Sequence, residues 1–300
     1  SSGTYYHSNV LRTPEEMDIL EVEGEQILVL ELQGVIFFGT ANKLIHQIDD
    51  RLTQNSNVKF IILDFRLVSG LDASAVLSFA KLEQLANQKQ VHLLFTQLSK
   101  EAEQRLSQGD CLDQSDPLCH QFDDLDRGLE WCEQQILQSH QLSQLEPDPN
   151  SPDRALSRYL KSVFLDPAQV DRLMSLLKTC SLQPGEYLFR QGDPFDGLYF
   201  VGAGQVSVVL ELDQNQTKRI RTYTIGNTIG EMGLYRQTVR MASVVADKPS
   251  TVYFLSSEAF EQIESSDPVL AANVHRFVVN LLAERLEHRE QELKNLLQSS

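Results

Sequence analysis

The chain has 300 residues, enough for two average cores, and its hydrophobic content of 41% is ordinary for a globular protein. A formal net charge of −16 argues against a nucleic-acid footprint and against docking on anionic lipid. The longest apolar runs, such as 58–65, have strand length rather than the ~20 residues of a membrane span. Cys111, Cys119, Cys132 and Cys180 have no close pairing, which suits a reducing compartment, and with His120 they complete no metal-ligand pattern, so no metal is expected. The opening Ser1-Ser2-Gly3 has the look of a cloning remnant, so the natural protein is expected to continue upstream.

The first half alternates strand and helix. Residues 26–32 and 35–38 read as two short strands around a Gln33-Gly34 turn, and 41–53 as a helix with Leu44, Ile45, Ile48 and Leu52 at helical spacing. The β-branched run 58–63 suits a strand buried on both faces. Asp72 stands where it caps a helix over 73–87, whose apolar stripe includes Val76, Phe79, Leu82 and Leu85. A strand at 91–96, a helix at 101–108 stopped by Gly109, and a helix at 125–137 complete the pattern of a mixed, mainly parallel α/β sheet. The polar stretch 139–153, with Pro147, Pro149 and Pro152, reads as a linker.

After a helix at 167–178 the character changes. Turn signals recur at Pro184-Gly185, Gly192-Asp193-Pro194, Asp196-Gly197, Gly202, Gly204, Gly226 and Gly230. Between them lie β-rich segments at 187–189, 198–201, 206–212, 219–224, 243–246 and 251–255, which predicts a β-sandwich or roll. From Ser257 the pattern turns helical and ends in a long helix over 268–298, with Val274, Phe277, Val278, Leu281, Leu282 and Leu286 on one face.

The chemistry gathers in Gly230-Glu231-Met232-Gly233-Leu234 and Arg240-Met241-Ala242-Ser243. Backbone N–H groups at a helix start suit an anion, a planar guanidinium such as that of Arg240 grips phosphate oxygens in a fork, and the Glu231 carboxylate can accept from a sugar hydroxyl. This cassette, together with 182–193, resembles the cyclic-nucleotide-binding domain family over about 155–297. The resemblance implies that Glu231 holds the ribose 2′-hydroxyl and Arg240 the cyclic phosphate. It also implies a lid from the last helix, with Phe277, Leu281 and Leu282 as candidates to cap the base. Readers of cyclic GMP in that family often carry Thr after the arginine. Met241 stands there instead, which favours cyclic AMP over cyclic GMP. The bland alternative is a degenerate pocket in which Glu231 and Arg240 pair with each other.

The segments 34–41, 61–65, 71–75 and 122–133 resemble the STAS domain at the cytoplasmic end of SulP-family anion transporters, over about 10–138. In stand-alone members the serine after the loop aspartate is the phosphorylation site. Here Ala73 stands there and Ser74 comes next, so that switch is not carried over. Asp72, Ala73 and Ser74 remain a candidate anion or partner loop, against the simpler reading of a helix cap.

The expected organisation is thus a STAS domain at 10–138, a linker at 139–153 and a β-roll domain with a lid helix at 154–300. The leading reading is a regulatory module on the cytoplasmic face of a membrane transporter, joined to its transmembrane domain, with a cyclic nucleotide as ligand and no further cofactor. The competing reading is a ligand-free scaffold, a candidate homodimer paired through Leu282, Leu286, Leu293 and Leu296. A transcription factor is disfavoured by charge and by the lack of a helix-turn-helix, and no enzyme is expected, since no nucleophile elbow, P-loop or metal cluster is present.

Overall fold

The computed structural model describes residues 6–12, 14–109, 111–112, 116–140, 152–164, 166–212, 216–236 and 238–298. The chain forms two compact units, one within the first 144 residues and one from Leu145 onward, the second also taking in Asn9–Leu11. Most of the predicted linker, 141–151, lies outside the described residues.

The first unit runs α1 (Pro14–Glu23), β1 (Ile27–Ile36), α2 (Phe38–Gln54), β2 (Phe60–Leu71), α3 (Ala73–Lys89), β3 (His92–Thr96), α4 (Lys100–Gln108), β4 (Cys119–Phe122) and α5 (Leu125–Ser139). Its strands lie in the order β1-β2-β3-β4, every neighbouring pair parallel. Strand alternation sends Ile61, Leu63 and Phe65 of β2 into a core with α2, α3 and α4, and Phe60 and Ile62 into a second core with α1 and α5. The central strand is therefore buried on both faces, as its β-branched run predicts. Each such side chain contributes about 1.5–3 kcal/mol.

Two local expectations need correcting. Residues 26–38 are not two strands around a turn: β1 is continuous to Ile36, and Phe38 already opens α2. Gly34, at φ +78°, sits at one of two register slips against β2, so the glycine marks a bulge instead of a reversal. Strand β4 was not predicted, because Cys119-His120-Gln121-Phe122 is short and carries no apolar alternation.

The second unit runs α6 (Pro152–Val163), α7 (Ala168–Leu176), β5 (Lys178–Leu182), β6 (Tyr187–Phe189), β7 (Gly197–Ala203), β8 (Val206–Leu212), β9 (Gln216–Tyr223), β10 (Thr228–Ile229), α8 (Glu231–Arg236), β11 (Ser243–Ala246), β12 (Ser250–Ser256), α9 (Ser257–Ser266) and α10 (Pro268–Gln298). Two four-stranded antiparallel sheets, β10-β7-β12-β5 and β6-β11-β8-β9, form the expected roll. Tyr199 and Val201 of β7 fill the space between the sheets, while Leu198 and Phe200 of the same strand face a helical core built from α6, α7, α9 and α10. The predicted helix at 167–178 ends earlier, at Leu176, because Lys178 already pairs with Phe254 as the start of β5. No helix among the described residues is long and apolar enough to cross a membrane.

Candidate functional site

The cassette of the second unit is built where β10 runs into α8 and a loop carries Arg240 back to β11. Gly230 is at φ +88°, and a Cβ there would come 2.1 Å from Arg240 Nη1, so glycine alone lets the backbone lie against the guanidinium. Gly233 is fixed by packing: a Cβ would meet the Phe195 ring at 2.2 Å. Arg240 is held at its main chain by the preceding turn, its N–H donating to Asp193 O and its carbonyl accepting from Gly192 N, both at 2.8 Å. The upstream turn that the sequence singles out is therefore the mount for the arginine.

The Arg240 side chain is 3% exposed. Its Nη2 donates to Asp196 Oδ1 at 2.5 Å and to Gly197 O at 2.8 Å. Its Nε and Nη1 are buried and have no hydrogen-bond acceptor. The guanidinium lies 4.1 Å from the centre of the Phe189 ring, 5.0 Å from Phe195 and 5.6 Å from Tyr199. Burial, with Asp196 nearby, pushes the Tyr199 phenol up to about 12, so this wall stays neutral. A buried cation with two idle donors in an aromatic cage is poised for an anion, and Asp196, itself 58% exposed, is the acceptor now in place.

Glu231 does not pair with Arg240. Its carboxylate accepts from Arg285 Nη1, both side chains being 8% exposed, while Arg285 Nη2 donates to Thr228 O at 2.8 Å. The two charges of the cassette thus have separate partners, and the mutual salt bridge considered from sequence is absent. Ser243 is occupied structurally: its hydroxyl donates to Glu211 and accepts from Gln191 N. Met232 and Met241 are exposed, Leu234 packs toward the helical core, and Ala242 is half-buried beside Arg240 in sequence.

The lid expectation needs correction. Phe277 stacks on Phe200 at 6.1 Å and touches Phe164 and Tyr159, and Leu281 is buried with it, so both are core residues, with Leu282 packed at the edge of the same core. The residue through which α10 reaches the cassette is Arg285, which sequence reading passed over. It falls on the stripe of Val274, Val278 and Leu281, and a lone charge on a buried stripe is the signal that could have found it. In the tail, Leu286 is 62% exposed, and the side chains of Leu293 and Leu296 lie outside the described residues.

The candidate loop of the first unit is geometrically different. Asp72 accepts from the N–H of Ser74 at 2.8 Å and from its hydroxyl, and caps α3, while Ala73 is exposed. The bonds from Ser74 hold the Asp72 carboxyl below the usual range. No side chain of this loop is among the buried polar groups left without a hydrogen-bond partner. Among the described residues no group of three or more His, Cys, Asp or Glu side chains could hold a metal.

Residues 19–125 match the STAS domain family and residues 179–267 the cyclic nucleotide-binding domain family. Glutaminase 1 of Bradyrhizobium diazoefficiens is 26% identical over 290 residues, covering 93% of this chain and 43% of that protein, and Glutaminase 2 of the same organism is 27% identical over 279 residues, covering 92% and 42%. The chain thus spans less than half the length of these relatives. The vacuolar basic amino acid transporter VSB1 of Saccharomyces cerevisiae is 31% identical over 145 residues, covering 45% of this chain and 14% of that protein. The catabolite activator protein of Thermus thermophilus is a structural neighbour at 30% identity and a TM-score of 0.38, covering 44% of this chain and 60% of that one. The expectation that no enzyme is involved is overturned by the two relatives that match both units, since both are named as glutaminases. A catalytic motif is not required inside a region that accounts for only 43% and 42% of those proteins. The chain carries a STAS domain followed by a cyclic nucleotide-binding domain.

Proposed function

We propose that this chain is the regulatory part of a longer protein, with its second domain sensing a cyclic nucleotide through Arg240, Glu231 and the turn at Gly230 to Leu234. The observation that carries this reading is the buried Arg240 guanidinium with two unpaired donors beside Gly230. Leaving buried donors idle costs about 1–3 kcal/mol, and a cyclic phosphate that accepts from Nε and Nη1 removes that cost. Glu231 then receives the ribose hydroxyl. Met241, which brings no hydroxyl to the phosphate, favours cyclic AMP over cyclic GMP. The working boundaries are 10–138 for the first domain and 154–300 for the second.

The parent protein that this reading favours is an enzyme of the glutaminase kind, because those relatives align with both domains in one stretch. A membrane transporter is the second reading, supported by the higher identity of the vacuolar transporter over 45% of the chain. In either parent the module works by population shift: nucleotide binds one arrangement of cassette and α10 better than the other, and biases the attached portion accordingly. Calorimetric titration of cyclic AMP and cyclic GMP into the chain tests the sensor. Saturable binding with cyclic AMP the tighter supports it, and folded protein that gives no heat with either nucleotide overturns it.

A further inference from the structure

We infer that the outer face of α6, with α7 beside it, is a docking surface for an acidic helical segment of a partner protein. This surface shares no residue with the nucleotide cassette, so the inference stands apart from the sensor reading. Leu156 and Leu160 turn one side of α6 into the helical core. Arg154, Arg158 and Lys161, spaced four and three residues apart, therefore lie together on the opposite side, and all three are exposed. With Asp171 and Met174 of α7 they border a groove of about 540 Å³.

The charges of this face are unequally committed. Lys161 pairs with Asp171 at 2.7 Å, and Asp153 accepts from the Tyr253 hydroxyl. Among the described residues Arg154 and Arg158 have no hydrogen-bond or ion-pair partner. Two unpaired guanidiniums one helical turn apart form a basic island on a chain with 42 acidic against 26 basic residues. Their geometry selects the occupant. Each fork matches a carboxylate, and a spacing of one turn matches acids four residues apart on a second helix. Met174, packed against the edge of the helical core, gives the groove an adaptable apolar wall for an aliphatic side chain between the two acids. A net charge of −16 repels a long polyanion, so a short acidic segment fits where nucleic acid or an anionic membrane does not.

The probe is a fluorescein-labelled, end-capped alanine-based helix with two glutamates four residues apart and a leucine between them. It is titrated with the full chain in low salt and followed by anisotropy, beside a control peptide with glutamine at both acidic positions. Saturable binding of the glutamate peptide is expected, with the control about tenfold weaker, the worth of two exposed ion pairs. Added salt weakens the binding. Replacing both arginines, as Arg154→Ala with Arg158→Ala, costs the same factor of about ten, and Arg154→Glu with Arg158→Glu abolishes binding. Both side chains are exposed, so these variants are expected to keep the native unfolding midpoint. Equal binding of the two peptides overturns the inference, as does undiminished binding by the charge-reversed protein or none by the native one. Phosphatidylserine vesicles or single-stranded DNA bound more tightly than the glutamate peptide would make the face a general polyanion patch and overturn it as well.

Discussion

The loop at Asp72 to Ser74 and the cassette at Gly230 to Arg240 both place polar groups beside the start of a helix, yet they differ in what is left over. In the first, the carboxylate, the backbone N–H and the serine hydroxyl satisfy one another, and the arrangement is complete as a helix cap. In the second, a buried guanidinium keeps two donors without acceptors and holds an exposed aspartate with a third. Capping is a finished piece of structure, whereas an unfinished hydrogen-bond inventory in a buried place asks for a ligand. The same contrast runs through the rest of the first domain. Its buried Glu133 takes hydrogen bonds from the Ser8 backbone and hydroxyl and an ion pair from Arg12, with His7 3.7 Å away. Burial alone would raise the Glu133 carboxyl, but the bonds from His7, Arg12 and Ser8 outweigh it and hold the group below the usual range.

If that contrast is right, substitutions in the first domain change stability and leave nucleotide binding alone. The largest effect is expected for Glu133→Ala, which strips a buried arginine of its partner and destabilises the first domain by about 3–5 kcal/mol. Trp131, the single tryptophan of the chain, lies in that domain, so its fluorescence during urea unfolding measures the loss. An unshifted urea midpoint would show that this buried network is not the structural tie it is taken for.

A smaller effect comes from pH. His92 and His120 approach to 3.0 Å between Nδ1 and Nε2, and His120 packs 4.1 Å from the Trp131 ring. Burial lowers both imidazoles, with His92 lowering His120 further, while Asp116 opposes in each. The unfolded chain therefore binds more protons than the folded one in mild acid. The stability contributed by the neutral pair is fully present above about pH 6.5 and is lost as the pH falls toward the depressed folded values. His120→Gln should flatten that slope in Trp131-monitored unfolding, and a slope that survives the substitution would assign it to other groups. The smallest effect is expected for Asp72→Ala, which removes only a cap and lowers the melting midpoint slightly. A large change in anion or partner binding by this variant would break the contrast from the other side.

Much of the fold was legible because its signals are local. Alternation and turn spacing gave the roll, the β-branched run gave the doubly buried β2, and Asp72 gave the start of α3. The bulge at Gly34 was misread because a glycine looks alike in a turn and in a slipped parallel register, and only the partner strand tells them apart. In the site, Gly230, Glu231 and Arg240 were legible as a motif. Their partners Asp196 and Arg285 were not, because each pairing is a contact across 44 or 54 residues that no window along the chain contains. The lid was misplaced for a related reason: Phe277 has the helical spacing of a capping residue, but an aromatic on that stripe goes first to the core.

The central claim, that the idle donors of Arg240 are there for an anion, is tested most directly by titrating cyclic AMP into the native chain and into Arg240→Ala and Arg240→Lys. The account predicts binding weakened at least about a hundredfold in Arg240→Ala, with Arg240→Lys intermediate because a point charge replaces a fork. Native-like affinity in a folded Arg240→Ala protein would contradict it, and would make the guanidinium a structural brace between Asp196 and the aromatic cage.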